Sequence, residues 1–269
     1  MTHRIPSGTA LSVQDIADLI DHALLKPELT PDHVRESVAE LAAQRIWSVC
    51  VRPGDVRLAV EAVATVDGSP TRVCTVIGFP HGTTSTAAKV AEARQALADG
   101  ATELDMVLNI GALIGGAHQQ VQDDIAAVVE VGHEADALVK VIFETALLEQ
   151  GHKEAACELS EAAGADFVKT STGFAGGGAT PEDVRLMREH CSDAVQVKAS
   201  GGVRDIDTAL AMVADGATRL GTSSTDALLR EARQRRSSDS LVVPDPGHSA
   251  AANDQDLPSG SRYPVSDTY

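Results

Sequence analysis

The sequence predicts a single α/β domain: a (β/α)8 TIM barrel over residues 1–236, with an extra N-terminal helix and a disordered tail over 237–269. Three observations carry this. A motif recurs, as ADGATELDMV (98–107), AAGADFVKTS (162–171) and ADGATRLGTS (214–223). In each, an alanine-rich helix end meets a Gly-Ala step and then a short β-prone run. Gly100, Gly164 and Gly216 stand where a helix must turn left-handed, a conformation that only glycine adopts cheaply. Next, eight such runs alternate with helical segments, which argues for a parallel sheet covered by helices. Finally, Asp105, Lys169 and Gly221 each fall five residues after their glycine, as equivalent positions in a cyclic αβ repeat should.

Taken in order, Ser12 with Asp15 suggests a capped helix before the first strand. The strands are expected near 21–25, 46–51, 72–77, 103–108, 138–143, 167–171, 195–199 and 218–221. Helices fill the gaps, for example at 31–44, 84–99, 149–163 and 181–190. Thr30-Pro31 and Thr180-Pro181-Glu182 combine an N-cap threonine, proline at the first helical position and an early acid. An open doubly wound sheet is the competing architecture, but no G-x-G-x-x-G follows the first strand. Residues 237–269, rich in Ser, Pro, Gly and Asp and without a period, read as a mobile tail.

Composition narrows the function. A 43% hydrophobic chain with 3% aromatics builds an aliphatic core. A formal net charge of −17 argues against nucleic acid or an anionic membrane as partner. Cys50, Cys74, Cys157 and Cys191 form no CxxC pair and read as reduced, buried small residues. No signal peptide or membrane span is visible, so a cytoplasmic protein is expected. The nine histidines include no H-E-x-x-H and share no metal-ligand spacing with the cysteines, so neither metal nor cofactor is expected.

Lysines inside strands are the chemical anomaly. Period-two alternation puts Lys169 on one face with Phe167 and Ser171, and Lys198 with Gln196 and Ser200, while Val168, Val197 and Ala199 point to the helices. Both lysines should enter the barrel mouth from neighbouring strands. An isolated lysine there would read as a salt-bridge partner; two on adjacent inward faces suggest imine chemistry. An amine attacks a carbonyl only when unprotonated, and a second ammonium nearby, with partial desolvation, lowers a lysine pKa. Asp105 in ELDMV is either an ion-pair partner of these lysines or a proton carrier. Lys140 is expected to pair with Asp105 or Glu144. After the last two strands, SGGVRD (200–205) and LGTSS (220–224) place glycines and hydroxyls at helix starts, where barrels usually cradle phosphate. GFAGGGATP (173–181) reads as a mobile loop over the site.

At these residues the chain resembles the deoxyribose-phosphate aldolase family, from about Leu19 to Leu229. The likeness runs through LIDHALL, SVCVRP, IGFPHG, ELDMVLNIGAL, LVKVIFETALL, GADFVKTSTGF, VKASGGVRD and LGTSS. The resemblance implies metal-free, reversible cleavage of 2-deoxyribose 5-phosphate to acetaldehyde and glyceraldehyde 3-phosphate. It implies Lys169 as the Schiff-base lysine, with Asp105 and Lys198 as paired proton donor and acceptor. Gly173, Gly201, Gly202, Gly221, Ser223 and Ser224 then belong to the phosphate-binding segments, and Tyr269 to a proton relay. Some family members carry lysine after STG, where this chain has Phe174. The implied ligands are a phosphorylated sugar and aldehydes, and the assemblies to expect are a homodimer or homotetramer. An aldolase for another sugar phosphate and a non-catalytic sugar-phosphate-binding barrel are the competing readings.

Overall fold

The computed structural model describes residues 4–236 and 241–247, with Arg236 described by its backbone alone. Its eight strands are β1 (Ile20–Leu24), β2 (Ser48–Val51), β3 (Arg72–Ile77), β4 (Glu103–Val107), β5 (Leu138–Ile142), β6 (Phe167–Lys169), β7 (Gln196–Ser200) and β8 (Arg219–Thr222). All pair in parallel and in chain order, and β8 returns to β1 to close the barrel. The expected strands thus all exist, with ends displaced by at most two residues. Among the described residues no helix is long and apolar enough to cross a membrane.

The helices are α1 (Val13–Ala17), α2 (Pro31–Ala43), α3 (Val56–Ala64), α4 (Thr86–Ala98), α5 (Ile110–Ile114), α6 (His118–Glu134), α7 (Gln150–Ala162), α8 (Pro181–Glu189), α9 (Ile206–Ala214) and α10 (Thr225–Arg236). The extra helix α1 starts at Ser12 in a full capping box with Asp15. Thr30 and Thr180 cap α2 and α8 as their sequences predict. Gly100 and Gly216 turn left-handed at φ +103° and +109°. At Gly216 a Cβ would also lie 2.8 Å from Arg188 Cγ, so close packing as well as backbone freedom selects glycine.

The core lies between sheet and helices. Val168, Val197, Ala199 and Leu220 are fully buried there among helix residues such as Val184, Ile206 and Leu228. Alternation leaves the opposite face of each strand for the barrel interior, and that face carries the charges.

The expected tail is ordered in part. Residues 8–11 and 241–243 form an antiparallel pair through Gly8 N–Val243 O (2.9 Å), Leu11 N–Leu241 O (2.8 Å) and Val243 N–Thr9 O (3.0 Å). Leu241 and Val243 are buried, and Gly247 N donates to Asp215 Oδ1 at 3.0 Å. Two alternating apolar residues therefore anchor a short strap where composition suggested only a mobile segment. The rest of the tail, Tyr269 included, lies outside the described residues.

Candidate active site

Three strands carry lysine into the barrel. Lys169 ends β6 and stands in register with Lys198 of β7. Lys140 of β5 is in register with Asp105 of β4. The Asp105 carboxylate joins all three: Oδ2 accepts from Lys169 Nζ at 2.7 Å and Lys198 Nζ at 2.8 Å, and Oδ1 accepts from Lys140 Nζ at 2.7 Å. Both mouth lysines thus share one oxygen, and their ammonium groups are bridged by a carboxylate rather than facing each other bare. Lys169 has the only ammonium side chain of the three with appreciable exposure, 5% against 0% for Lys140 and 1% for Lys198.

Behind this trio lies a charged layer that the sequence reading passed over. Asp21 Oδ2 is 2.5 Å from Lys198 Nζ, and Asp21 Oδ1 accepts from Arg219 at 3.1 Å and from Ser48 Oγ at 2.7 Å. Glu103 Oε2 lies 2.6 Å from Lys140 Nζ, while its Oε1 accepts from Trp47 Nε1 at 2.7 Å. Arg219 stacks on the Trp47 ring at 4.0 Å and on the Phe167 ring at 5.3 Å. Three acids thus face four bases in a buried interior. Period-two spacing held the clue, since Glu103 is two residues from Asp105 and Arg219 two from Gly221.

The expected Lys140–Glu144 alternative is not made. Lys140 pairs with Asp105 and Glu103, whereas Glu144 Oε2 accepts from Thr172 N at 3.2 Å and from Thr172 Oγ1. Strict alternation would put 140, 142 and 144 on one face, but Glu144 sits at φ +59° and leaves it.

Electrostatics follow from the geometry. Burial raises the Asp105 pKa, but Lys140, Lys169 and Lys198 outweigh it and hold the carboxyl well below its usual range. Burial lowers Lys198, yet Asp105 and Asp21 more than reverse that and raise it. Burial likewise raises Asp21, and Lys198, Arg219 and Lys140 pull it down. The stability due to ionised Asp21 is therefore present above the unfolded value near ~3.9 and lost as pH falls through the lower native one. The Tm gap between wild type and Asp21→Asn should stay constant from about pH 5 to 8 and shrink below about pH 4. A gap that persists undiminished in acid would mean that Asp21 is not ionised in the native barrel.

Cys74 is a free, buried thiol as expected, and its Sγ donates to Asp105 Oδ1 at 3.2 Å. Cys50, Cys74 and Asp105 are the one group among the described residues with metal-ligand proximity, their ligand atoms lying within 4.8 Å of one another. The carboxylate of that group is already engaged by three ammonium groups, which disfavours a cation. All four thiols are free and buried.

The expected phosphate segments converge at the same end of the barrel. Gly173, Gly201 and Gly202 adopt φ of +84°, +85° and +82°. Thr222 Oγ1 donates to Val203 O at 2.6 Å and ties the β8 loop to the β7 loop. Ala179 N, donating to Ser200 O and Gly201 O at 3.0 Å, ties down the glycine-rich loop after β6. At Gly221 a Cβ would lie 2.1 Å from Ser200 Oγ, so no side chain fits there. Ser223 is exposed and Ser224 half-buried, immediately before α10.

Fold and site together define a (β/α)8 barrel whose mouth gathers lysines around one carboxylate. Residues 16–225 match the family described as DeoC/LacD family aldolase, and the chain belongs to that family. It is 52% identical to the deoxyribose-phosphate aldolase of Staphylococcus epidermidis, over 77% of this chain and 92% of that one. Identity to the deoxyribose-phosphate aldolase of Thermococcus gammatolerans is 51%, over 81% and 97% of the two chains. Among solved structures, the tetrameric deoxyribose phosphate aldolase of Aeropyrum pernix superposes with a TM-score of 0.75 at 32% identity, covering 82% of this chain and 92% of that one.

Proposed function

We propose that this aldolase cleaves 2-deoxy-D-ribose 5-phosphate, reversibly and without a metal, to acetaldehyde and D-glyceraldehyde 3-phosphate. The observation that carries the reading is Asp105 Oδ2, which holds Lys169 and Lys198 together at the mouth. Lys169, as the neutral amine, attacks the C1 aldehyde. The carbinolamine hydroxyl takes a proton and leaves as water, giving a protonated imine. The C3 hydroxyl then loses its proton, the C2–C3 bond breaks, and its electron pair moves into the imine. Glyceraldehyde 3-phosphate departs, the enamine is protonated at C2, and water releases acetaldehyde and restores the amine.

Asp105 and Lys198 shuttle the protons. Ionised Asp105 takes a proton more easily once Lys169 is neutral and one of its three cations is gone, and its hydrogen bond to each nitrogen gives a path one bond long. Tyr269 is proposed as a further carrier: the 22 residues after Gly247 span at most about 75 Å, enough to reach the mouth. The amides and hydroxyls of Gly173, Gly201, Gly202, Gly221, Ser223 and Ser224 hold the phosphate. The enzyme acts in the cytoplasm as a homodimer or homotetramer. Product analysis with the pentose phosphate tests the reaction: acetaldehyde and glyceraldehyde 3-phosphate should form in equal amounts, with or without a chelator. No cleavage, or different products, would refute it.

The phosphate assignment has its own test. Ser224 precedes α10, where aspartate is as good a cap as serine, so Ser224→Asp should fold normally. Its charge should raise KM for the phosphorylated sugar about tenfold or more, while unphosphorylated deoxyribose is little affected. Equal losses on both substrates would remove the phosphate from this loop.

A further inference from the structure

The geometry points to a second ligand subsite at the barrel mouth, among the loops that follow β3, β4, β5 and β6, in which Glu144 binds a small aliphatic ammonium ion. Seven acids are buried among the described residues, and Asp21, Glu103, Asp105, Asp124, Asp183 and Asp215 each pair with a lysine or arginine. Glu144, the seventh, is 1% exposed and pairs with none among the described residues. Its Oε2 takes both Thr172 donors, and its Oε1 has no hydrogen-bond partner. A buried carboxylate with one oxygen unmatched is costly until a positive donor arrives.

The backbone sets Glu144 in this position. Phe143 N donates to Lys169 O and Thr145 N to Thr170 O, so two residues after β5 match one step after β6. Glu144 is the extra residue, a bulge with left-handed φ +59° that turns its side chain out of the lysine cluster. Bulged, strained residues of this kind gather at ligand sites.

Glu144 and Thr172 line a cleft of about 280 Å³ whose apolar walls include Pro80, Ile110, Leu147 and Phe174. Leu147 and Phe174 are 52% and 48% exposed, an apolar rim suited to an aliphatic stem. Phe174 meets Phe79 edge to face at 5.2 Å, which adds aromatic surface beside which a cation is stable. No lysine or arginine lines the cleft; His81 is its one basic side chain. An anion there would face Glu144, which directs the phosphate end of a substrate toward the loops after β7 and β8, with Gly173 in the β6 loop between the two.

Calorimetric titration of n-propylammonium chloride into the intact protein, with no aldehyde present, tests this. Saturable one-to-one binding is expected, with n-propanol, its neutral isostere, at least about tenfold weaker. Glu144→Gln keeps the size and an acceptor for Thr172 but removes the charge, and should weaken the amine about tenfold or more. Leu147→Trp should fill the cleft from its exposed rim and block binding without touching Glu144, which decides the matter if Glu144→Gln fails to fold. Absence of saturable binding, equal affinity for amine and alcohol, or wild-type affinity in Leu147→Trp overturns the proposal. No turnover is read, so the outcome is separate from that of the aldol reaction.

Discussion

Borohydride reduction in the presence of acetaldehyde should add one two-carbon unit to the protein, and peptide mapping should find it on Lys169. Geometry separates the three barrel lysines. Lys140 is held by Asp105, Glu103 and, at 3.9 Å, Asp21, and Lys198 by Asp105 and Asp21. Lys169 pairs with Asp105 alone and is the least buried of the three, its side chain 5% exposed. A lysine clasped by two buried acids stays protonated and makes a poor nucleophile. Lys169→Leu should abolish trapping and lower kcat on the order of 10³-fold or more, as loss of a covalent nucleophile does elsewhere. The fold should survive, because the leucine replaces one of three cations on Asp105 and two remain. An adduct on Lys198 or Lys140 would exchange the roles assigned here.

Much of this arrangement is legible in the chain itself, for physical reasons that differ by element. The glycines at 100, 164 and 216 mark helix ends because left-handed turns exclude most side chains, and the strands follow from them. Lys169, Lys198 and Asp105 stand out because a charge among aliphatic neighbours is rare unless it has a partner or a task. Where reading failed, local rules met tertiary ones. Glu144 left its expected face because a bulge breaks the period of two, and no residue type announces it. Leu241 and Val243 are too short a run to outweigh the polar composition around them, yet pairing with residues 8–11 orders them. Arg219 and Glu103 obeyed the alternation, but their partners Asp21, on β1, and Trp47, just before β2, are distant in the chain, a proximity that closure of the barrel alone creates.

Asp105→Asn should lower kcat by about 10²-fold or more, the loss usual for an acid–base group. It should also destabilise the barrel by about 3–5 kcal/mol, as expected when one partner of a buried ion pair is removed. The two effects have one origin. With Asp105 gone, Asp21 and Glu103 remain against Lys140, Lys169, Lys198 and Arg219 in the same interior. Lys169 then has no acid within ion-pairing distance among the described residues. Imine formation does not require Asp105 once the amine is neutral, so borohydride trapping at Lys169 should persist. In the proposed mechanism proton transfer at C2 does require it, so exchange of the acetaldehyde methyl protons with solvent should slow with kcat. Thermal melting gives the stability, and exchange followed by proton NMR gives the chemistry. Near-wild-type exchange in a variant with lowered Tm would leave Asp105 a structural counter-ion, with the proton path running through Lys198 and water.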